Sequence, residues 1–256
     1  MIIHYAPQGS AEWFEARAGV ISGSNFSECR KVVGGLTEQQ QVYVDAMRAG
    51  HPESKALEMA KYKAAPKITE KMQKALDGEM VGDFSNAAYD YAFKLAVERI
   101  AGKSIDSGFQ TAYMKRGNDL EPEARMTHES IIMQPVTQVG FVTTDDGKFG
   151  ASADGFIGDD GGAEYKCFLA PEKVRAFWID YDPSVVMDQV QGGMWITGRK
   201  YWDIGMYCPE LAPAGKELWL KRIERDDDYI ELLEMDLLRF EKVVTDYENK
   251  LRSKTL

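Results

Sequence analysis

Two carboxylates and a lysine lie close together in the middle of this chain: Asp154, Glu164 and Lys166, within SADGFIGDDGGAEYKC. Glu164 and Lys166 are two apart, so on a β-strand their side chains point to one face. Asp154 ends a preceding strand, and the Gly-rich turn at 158–162 brings it back beside that pair. Two hard oxygen donors in fixed geometry suit Mg²⁺, which keeps several waters and adds phosphate oxygens to its shell. Such an ion polarises a phosphoryl group and lowers the pKa of a bound water. A lysine alongside can hydrogen-bond that water and stabilise charge in the transition state. Together these residues form a set for phosphodiester hydrolysis, with the backbone carbonyl of Tyr165 also in reach of the metal. A plainer reading stands beside it. The Asp/Gly run is then two hairpin turns, and Glu164 with Lys166 is an exposed strand pair worth a few tenths of a kcal/mol.

The elements that must hold this set lie mostly in the second half. Residues 136–156 alternate in the β manner, with Asp145-Asp146-Gly147 as a hairpin turn. AEYKCF, YWDIGMYC and LWLKRI read as further strands. Pro183 opens a helix through Met187, Val190 and Met194. The chain closes in a long helix, 227–251, whose stripe from Ile230 to Leu251 repeats every three or four positions. That stripe is expected on the core or on a neighbouring subunit.

The first half is helical. Ser10 caps a short helix closed by Gly19, and Ser22 or Ser24 caps a second, NFSECRKVV, which stops at Gly34-Gly35. Thr37 and Gln40 have capping-box spacing and open a polar region, 37–81, that Gly50, Pro52, Pro66 and Gly78 divide into several short helices. Ser85 caps an amphipathic helix carrying Ala88, Ala92, Leu95, Ala96 and Ile100. Another helix, from about Gln110 to Glu129, breaks or kinks at Pro122. Helices around a mixed central sheet imply a single α/β (α+β) domain over 1–256, with 37–81 as a helical insertion.

With 256 residues, 44% of them hydrophobic, the chain can bury one sizeable core or two small ones. No apolar stretch approaches the roughly 18 residues of a membrane span, and MIIHYAPQGS is not a secretory signal. Cys29, Cys167 and Cys208 are odd in number and widely spaced, which suggests a reducing cytoplasm. A net charge of −10 argues against a nucleic-acid partner, unless bound metals carry the positive charge that meets phosphate. His4, His51 and His128 have no metal spacing and receive no role, and Trp13 reads as core.

Beyond the central motif, EWFEARAGVISGSNFSE, RGNDLEPEAR and DQVQGGMWITG flank it in order. With these four blocks the chain resembles the phage lambda exonuclease family of viral recombination nucleases, which share the restriction-endonuclease-like, PD-(D/E)xK core. The resemblance implies that Asp154 and Glu164 are the central metal ligands and Lys166 the catalytic lysine. Glu121 would be a further carboxylate near a second metal, and Gln189 an active-site glutamine. Arg17 and Ser24 would form the pocket for the 5′-phosphate of a strand end. Each also has an ordinary alternative: a helix-start carboxylate at Glu121, a solvated amide at Gln189, a surface arginine at Arg17. Arginine does suit bidentate phosphate binding, and a helix start at Ser24 would offer free N–H groups. KCFLAP departs from the tight Lys-Cys-Pro of the nearest pattern, and 37–81 exceeds what the family suggests.

The expectation is a Mg²⁺-dependent 5′→3′ exonuclease with two ions, Mn²⁺ as a substitute. It would act on double-stranded DNA ends and leave 3′ single-stranded tails for recombination. The resemblance further implies a homotrimeric ring, a single-strand annealing protein as partner, no membrane association, and phage or prophage origin with action in the bacterial cytoplasm. An endonuclease on the same core and a non-catalytic DNA-end scaffold are the alternatives.

Overall fold

The computed structural model describes residues 1–79, 81–105 and 111–253. In chain order its elements are β1 (Ile2–His4), α1 (Ala11–Arg17), β2 (Ile21–Ser22), α2 (Phe26–Cys29), β3 (Val32–Val33), α3 (Glu38–Arg48), α4 (Glu53–Met59), α5 (Glu70–Leu76), β4 (Asp83–Phe84), α6 (Asn86–Ala101), α7 (Ala112–Ile132), β5 (Phe141–Thr143), β6 (Phe149–Ser152), β7 (Gly155–Ile157), β8 (Gly161–Lys166), α8 (Pro171–Trp178), α9 (Met187–Thr197), β9 (Tyr201–Tyr207), β10 (Leu218–Glu224) and α10 (Asp227–Arg252). Two compact units divide the chain: Met1–Ser27 with Ala92–Leu256, and Glu28–Tyr91.

The larger unit is the expected α/β arrangement, its strands resolved into two mixed sheets ordered β1-β5-β6-β2 and β10-β9-β8-β7. One parallel pair occurs in each, β2 with β6 and β8 with β9. Among the described residues no helix is long and apolar enough to cross a membrane. Strand β8 is buried along most of its length, which Gly161 and Gly162 make possible. A Cβ on Gly162 would stand 2.4 Å from the Trp202 ring, and one on Gly193 of α9 would stand 2.9 Å from the same indole. A Cβ on Gly192, beside it, would stand 2.4 Å from the Phe26 ring. The helix weakness that Gly192-Gly193 introduces thus makes room for two aromatic rings. Around Trp202 the core gathers Phe177, Val190, Met194, Ile204 and Met206.

Helix α10 buries Ile230, Leu233, Leu237, Phe240 and Val244 within its own chain, whereas Leu251 is exposed. Ser10, Thr111 and Asp226 cap α1, α7 and α10 through their side-chain oxygens. In the smaller unit, α3 to α5 close over Tyr43, Val44, Ala56 and Met72. Its capping box forms: Gln40 N donates to Thr37 Oγ1 at 3.3 Å and Thr37 N to Gln40 Oε1 at 3.0 Å.

Three expectations change. NFSECRKVV is not one helix but a 3-10 turn (Gly23–Asn25) and the four-residue α2, followed by β3 paired with β4. The β-branched Val32 and Val33 favour a pleated strand over a helix. Helix α7 runs unbroken through Pro122, where the ring removes one donor and frees the carbonyl four residues earlier, at Asn118. Its expected start at Gln110 lies outside the described residues. Pro171 opens α8, in a stretch to which the sequence reading assigned no element; the Val174, Phe177, Trp178 spacing that packs it is visible in retrospect.

Candidate active site

The hairpin of β7 and β8 sets the chemistry. Its ladder pairs Gly155 with Ala163, Phe156 with Gly162 and Ile157 with Gly161. Continued by one residue, that register places Asp154 directly opposite Glu164. Strand β7 stops there, and the Asp154 side chain takes over the ladder: its Oδ2 accepts from the Tyr165 amide at 2.6 Å, while Asp154 N donates to Ala163 O at 3.1 Å. Glu164 and Lys166 project to the same face, as alternation requires. Lys166 Nζ donates to Glu164 Oε1 at 2.7 Å and to Gln189 Oε1 at 2.9 Å, and Gln189 Nε2 donates to Glu164 Oε1 at 2.7 Å. Gln189 is therefore tied to both catalytic candidates. Its helix is anchored from behind, where Gln191 Nε2 reaches Glu224 O and Arg225 reaches Met194 O.

Glu121 comes from α7, with Arg125 one turn on at 3.4 Å from it. Arg125 also donates to the Asp154 carbonyl at 3.4 Å. This arginine ends the RGNDLEPEAR block, and its i, i+4 spacing to Glu121 was the signal that could have singled it out.

The electrostatics are those of crowded negative charge. Burial, then the charges of Glu164 and Glu121, pushes the Asp154 carboxyl well above the usual carboxylate range, against the pull of Lys166 and the Tyr165 amide. Glu121 is raised as well, by burial first and by Glu164, with Arg125 opposing. Burial alone would lower the Lys166 ammonium, but Glu164 and Asp154 more than offset this and leave it raised and protonated. Cys167 is pushed up to about 11, mainly by burial, which keeps it a neutral thiol and a poor nucleophile.

These carboxylates fit a divalent cation, because facing acids that repel one another are relieved by a shared positive charge. Among the described residues no group of three or more His, Cys, Asp or Glu side chains stands at metal-holding spacing. Asp154 and Glu164, opposite one another in the β7–β8 register, would supply two donors, and water and phosphate would complete the shell, as is usual for Mg²⁺.

One cleft of about 680 Å³ is lined by all the expected positions: Arg17, Ser24, Glu121, Asp154, Glu164, Tyr165, Lys166 and Gln189. Within it, Arg17 donates to Ser22 Oγ at 3.1 Å and to Ser152 Oγ at 3.4 Å. Its guanidinium lies 4.3 Å over the Trp13 ring. Trp13 is core, 8% exposed, and also the platform on which Arg17 lies. The helix start expected at Ser24 is only a 3-10 turn. What surrounds Arg17 is therefore a set of hydroxyls, with Ser22 Oγ 3.3 Å from Ser24 Oγ. The loop is held from outside the cleft. Gly19 N donates to Glu98 Oε2 at 2.9 Å, Arg99 Nε donates to Gly19 O at 2.8 Å, and Arg99 pairs bidentately with Glu241 of α10. Gly19 has φ +71°, and a Cβ there would stand 2.5 Å from Arg99 Cγ, so both conformation and space call for glycine.

Comparison with known proteins agrees in kind. Residues 70–200, just over half of the chain, match the model of the YqaJ-like viral recombinase domain. The fold is similar to that of an alkaline exonuclease (LHK-Exo) from Laribacter hongkongensis, at TM-score 0.65 and 24% identity, covering 95% of this chain and 96% of that one. The structure of LHK-Exo in complex with dAMP matches at TM-score 0.66 over the same shares. A phage-related exonuclease from Haemophilus somnus 129PT matches at 0.52 and 13% identity, covering 93% of this chain and 96% of that one. No curated protein matches the sequence.

Proposed function

This chain belongs to the YqaJ-like viral recombinase family, and from that premise we propose that it is a Mg²⁺-dependent 5′→3′ exonuclease that trims duplex DNA ends to 3′ single-stranded tails. The observation that carries this is the single cleft in which Asp154 faces Glu164 beside Lys166 and Gln189, with Arg17 lining the same space. Asp154 and Glu164 would hold the cation, with Glu121 and the Tyr165 carbonyl available to a second ion. When bound, the ion polarises the scissile phosphate and acidifies water.

The protein side of the mechanism follows from the contacts. Lys166 Nζ, held protonated by Glu164 and Asp154, would donate to the phosphoryl oxygens and stabilise charge there. Gln189 keeps Glu164 Oε1 and Lys166 Nζ in register. Arg17, Ser22 and Ser24 would bind the terminal phosphate, whose extra charge distinguishes an end from continuous backbone. The narrowness of this donor set, without a thiolate or activated serine, leaves the nucleophile to water. A homotrimeric ring, a single-strand annealing partner and action inside a phage-infected bacterial cell belong to the same proposal. So does a single nuclease domain over 1–256 with 37–81 as its insertion. A ring would let a protein of net charge −10 remain on DNA by topology.

The test is linear duplex carrying a labelled 5′-phosphate, with and without Mg²⁺, beside covalently closed circles. Mononucleotides should appear from the linear substrate only with Mg²⁺ and cease with EDTA. Asp154→Asn, Glu164→Gln and Lys166→Ala should each abolish release while the protein stays folded. Cutting of closed circles, or normal turnover by any of the three variants, would overturn the assignment.

A further inference from the structure

The buried polar groups behind the site are left unused by the chemistry above. His128 and Asp203 are 0% and 2% exposed, and neither faces the cleft. His128 Nδ1 lies 2.9 Å from Tyr165 Oη, and its Nε2 lies 3.3 Å from Asp203 Oδ2. Asp203 is in turn gripped by Arg222 through two hydrogen bonds of 2.8 and 2.9 Å. Arg222 lies over the Tyr201 ring at 3.7 Å, at the outer strand of the sheet. A row of polar groups therefore runs from the exposed Arg222 on β10 through the buried Asp203 of β9 and His128 of α7 to the buried Tyr165 of β8. Burying such groups is costly unless they are paired, and a leucine at 128 would fill the same space without that cost.

Two connections give this row a direction. His128 is seven residues after Glu121 on α7, two turns along the same helix face. Tyr165 contacts the His128 ring with its side chain, while its amide holds Asp154 and its chain neighbours are Glu164 and Lys166. A single residue thus joins α7 to three of the groups that face the cleft.

We propose that His128 and Tyr165 are positioning residues whose hydrogen bond locks helix α7 to strand β8, and so sets the spacing between Glu121 and the Asp154–Glu164 pair that takes the divalent ion. This rests on the proposed metal site. The Asp203 carboxylate, 3.3 Å from Nε2, favours the tautomer protonated at Nε2, in which His128 Nδ1 accepts from the Tyr165 hydroxyl. The phenol can then neither rotate nor let β8 slide along α7. Outer partners of metal ligands typically change metal affinity or activity by about 10–100-fold when lost.

The experiment measures Mn²⁺ binding to the protein alone, by the loss of the free-ion paramagnetic resonance signal, beside kcat, KM for duplex ends and Tm. Tyr165→Phe removes one hydroxyl and no packing volume. It should weaken Mn²⁺ binding about tenfold and lower kcat similarly, with KM for DNA and Tm near wild type. His128→Leu should do the same. His128→Asn, whose amide reaches the position of Nδ1, should recover much of the loss. Wild-type Mn²⁺ affinity in both Tyr165→Phe and His128→Leu overturns the proposal, as does a loss in His128→Leu that follows Tm and is not recovered by asparagine. Asp154→Asn is the control for the underlying reading. If it binds Mn²⁺ normally, the metal site itself is misplaced. If it fails to bind while Tyr165→Phe binds normally, only the positioning role falls.

Discussion

Arg17 can be separated from the rest of the cleft by one substrate comparison. In Arg17→Ala the hydroxyls of Ser22, Ser24 and Ser152 remain, but the guanidinium that bonds Ser22 and Ser152 is gone. The rate ratio of 5′-phosphorylated to 5′-hydroxyl ends should fall by roughly tenfold or more, the value of one charge-assisted hydrogen bond, with Mn²⁺ binding unchanged. An arginine that merely packs on Trp13 would give equal losses on both substrates together with a lower Tm. At this scale Asp154, Glu164 and Lys166 were legible because a strand period of two and a hairpin register are local properties. Glu121, Gln189 and Arg17 were named through the family's motifs, not through spacing. Arg125 beside Glu121, Trp13 beside Arg17 and Ser22 five residues on were local pairs passed over, while Ser152 reaches Arg17 across 135 residues of chain. No periodicity encodes contacts of that kind. His128 was passed over for want of a metal partner, and its actual partner is a phenol 37 residues away.

The long elements were read well and the short ones poorly. A helix of 26 residues announces itself by its stripe, and α10 buries that stripe as far as Val244. Strands of two residues, such as β2 and β3, hold too few positions for alternation to register. Neither could be found without its ladder partner. The loop held by Glu98 and Arg99 ties α10 to the Arg17 side of the cleft through Glu241. Phe240, fully buried on the same helix, should therefore matter twice. Phe240→Ala should cost about 3–5 kcal/mol in denaturant unfolding, and partial unfolding of α10 should lower activity before the Asp154–Glu164 pair is disturbed. A truncation after residue 226 that remained soluble and fully active would remove this connection.

At the scale of the molecule, the sequence reading is one domain over 1–256 with an insertion at 37–81, and the contacts group Glu28–Tyr91 as a compact unit around that segment. The smaller unit has a hydrophobic cluster of its own around Tyr43, Val44 and Met72. Separate cores open with separate free energies. Native-state hydrogen exchange should find the amides of Val44, Ala46 and Met72 sharing one opening energy, distinct from that of Ile204 and Met206 in β9. A single common value for both sets would mean that the two units unfold as one. The division was not legible because capping boxes and breakers mark where helices begin and end, not which core each joins.

Trp202 occupies space left by the missing side chains of Gly162 on β8 and Gly193 on α9. These three positions, far apart in the chain, are therefore coupled sterically. A descendant that shrank the indole would open a void at both glycines, and one that enlarged either glycine first would have nowhere to put the ring. Substitutions at 162 and 193 should become permissible only after 202 has changed. The history of such a site is ordered, with the aromatic ring yielding first and the glycines following.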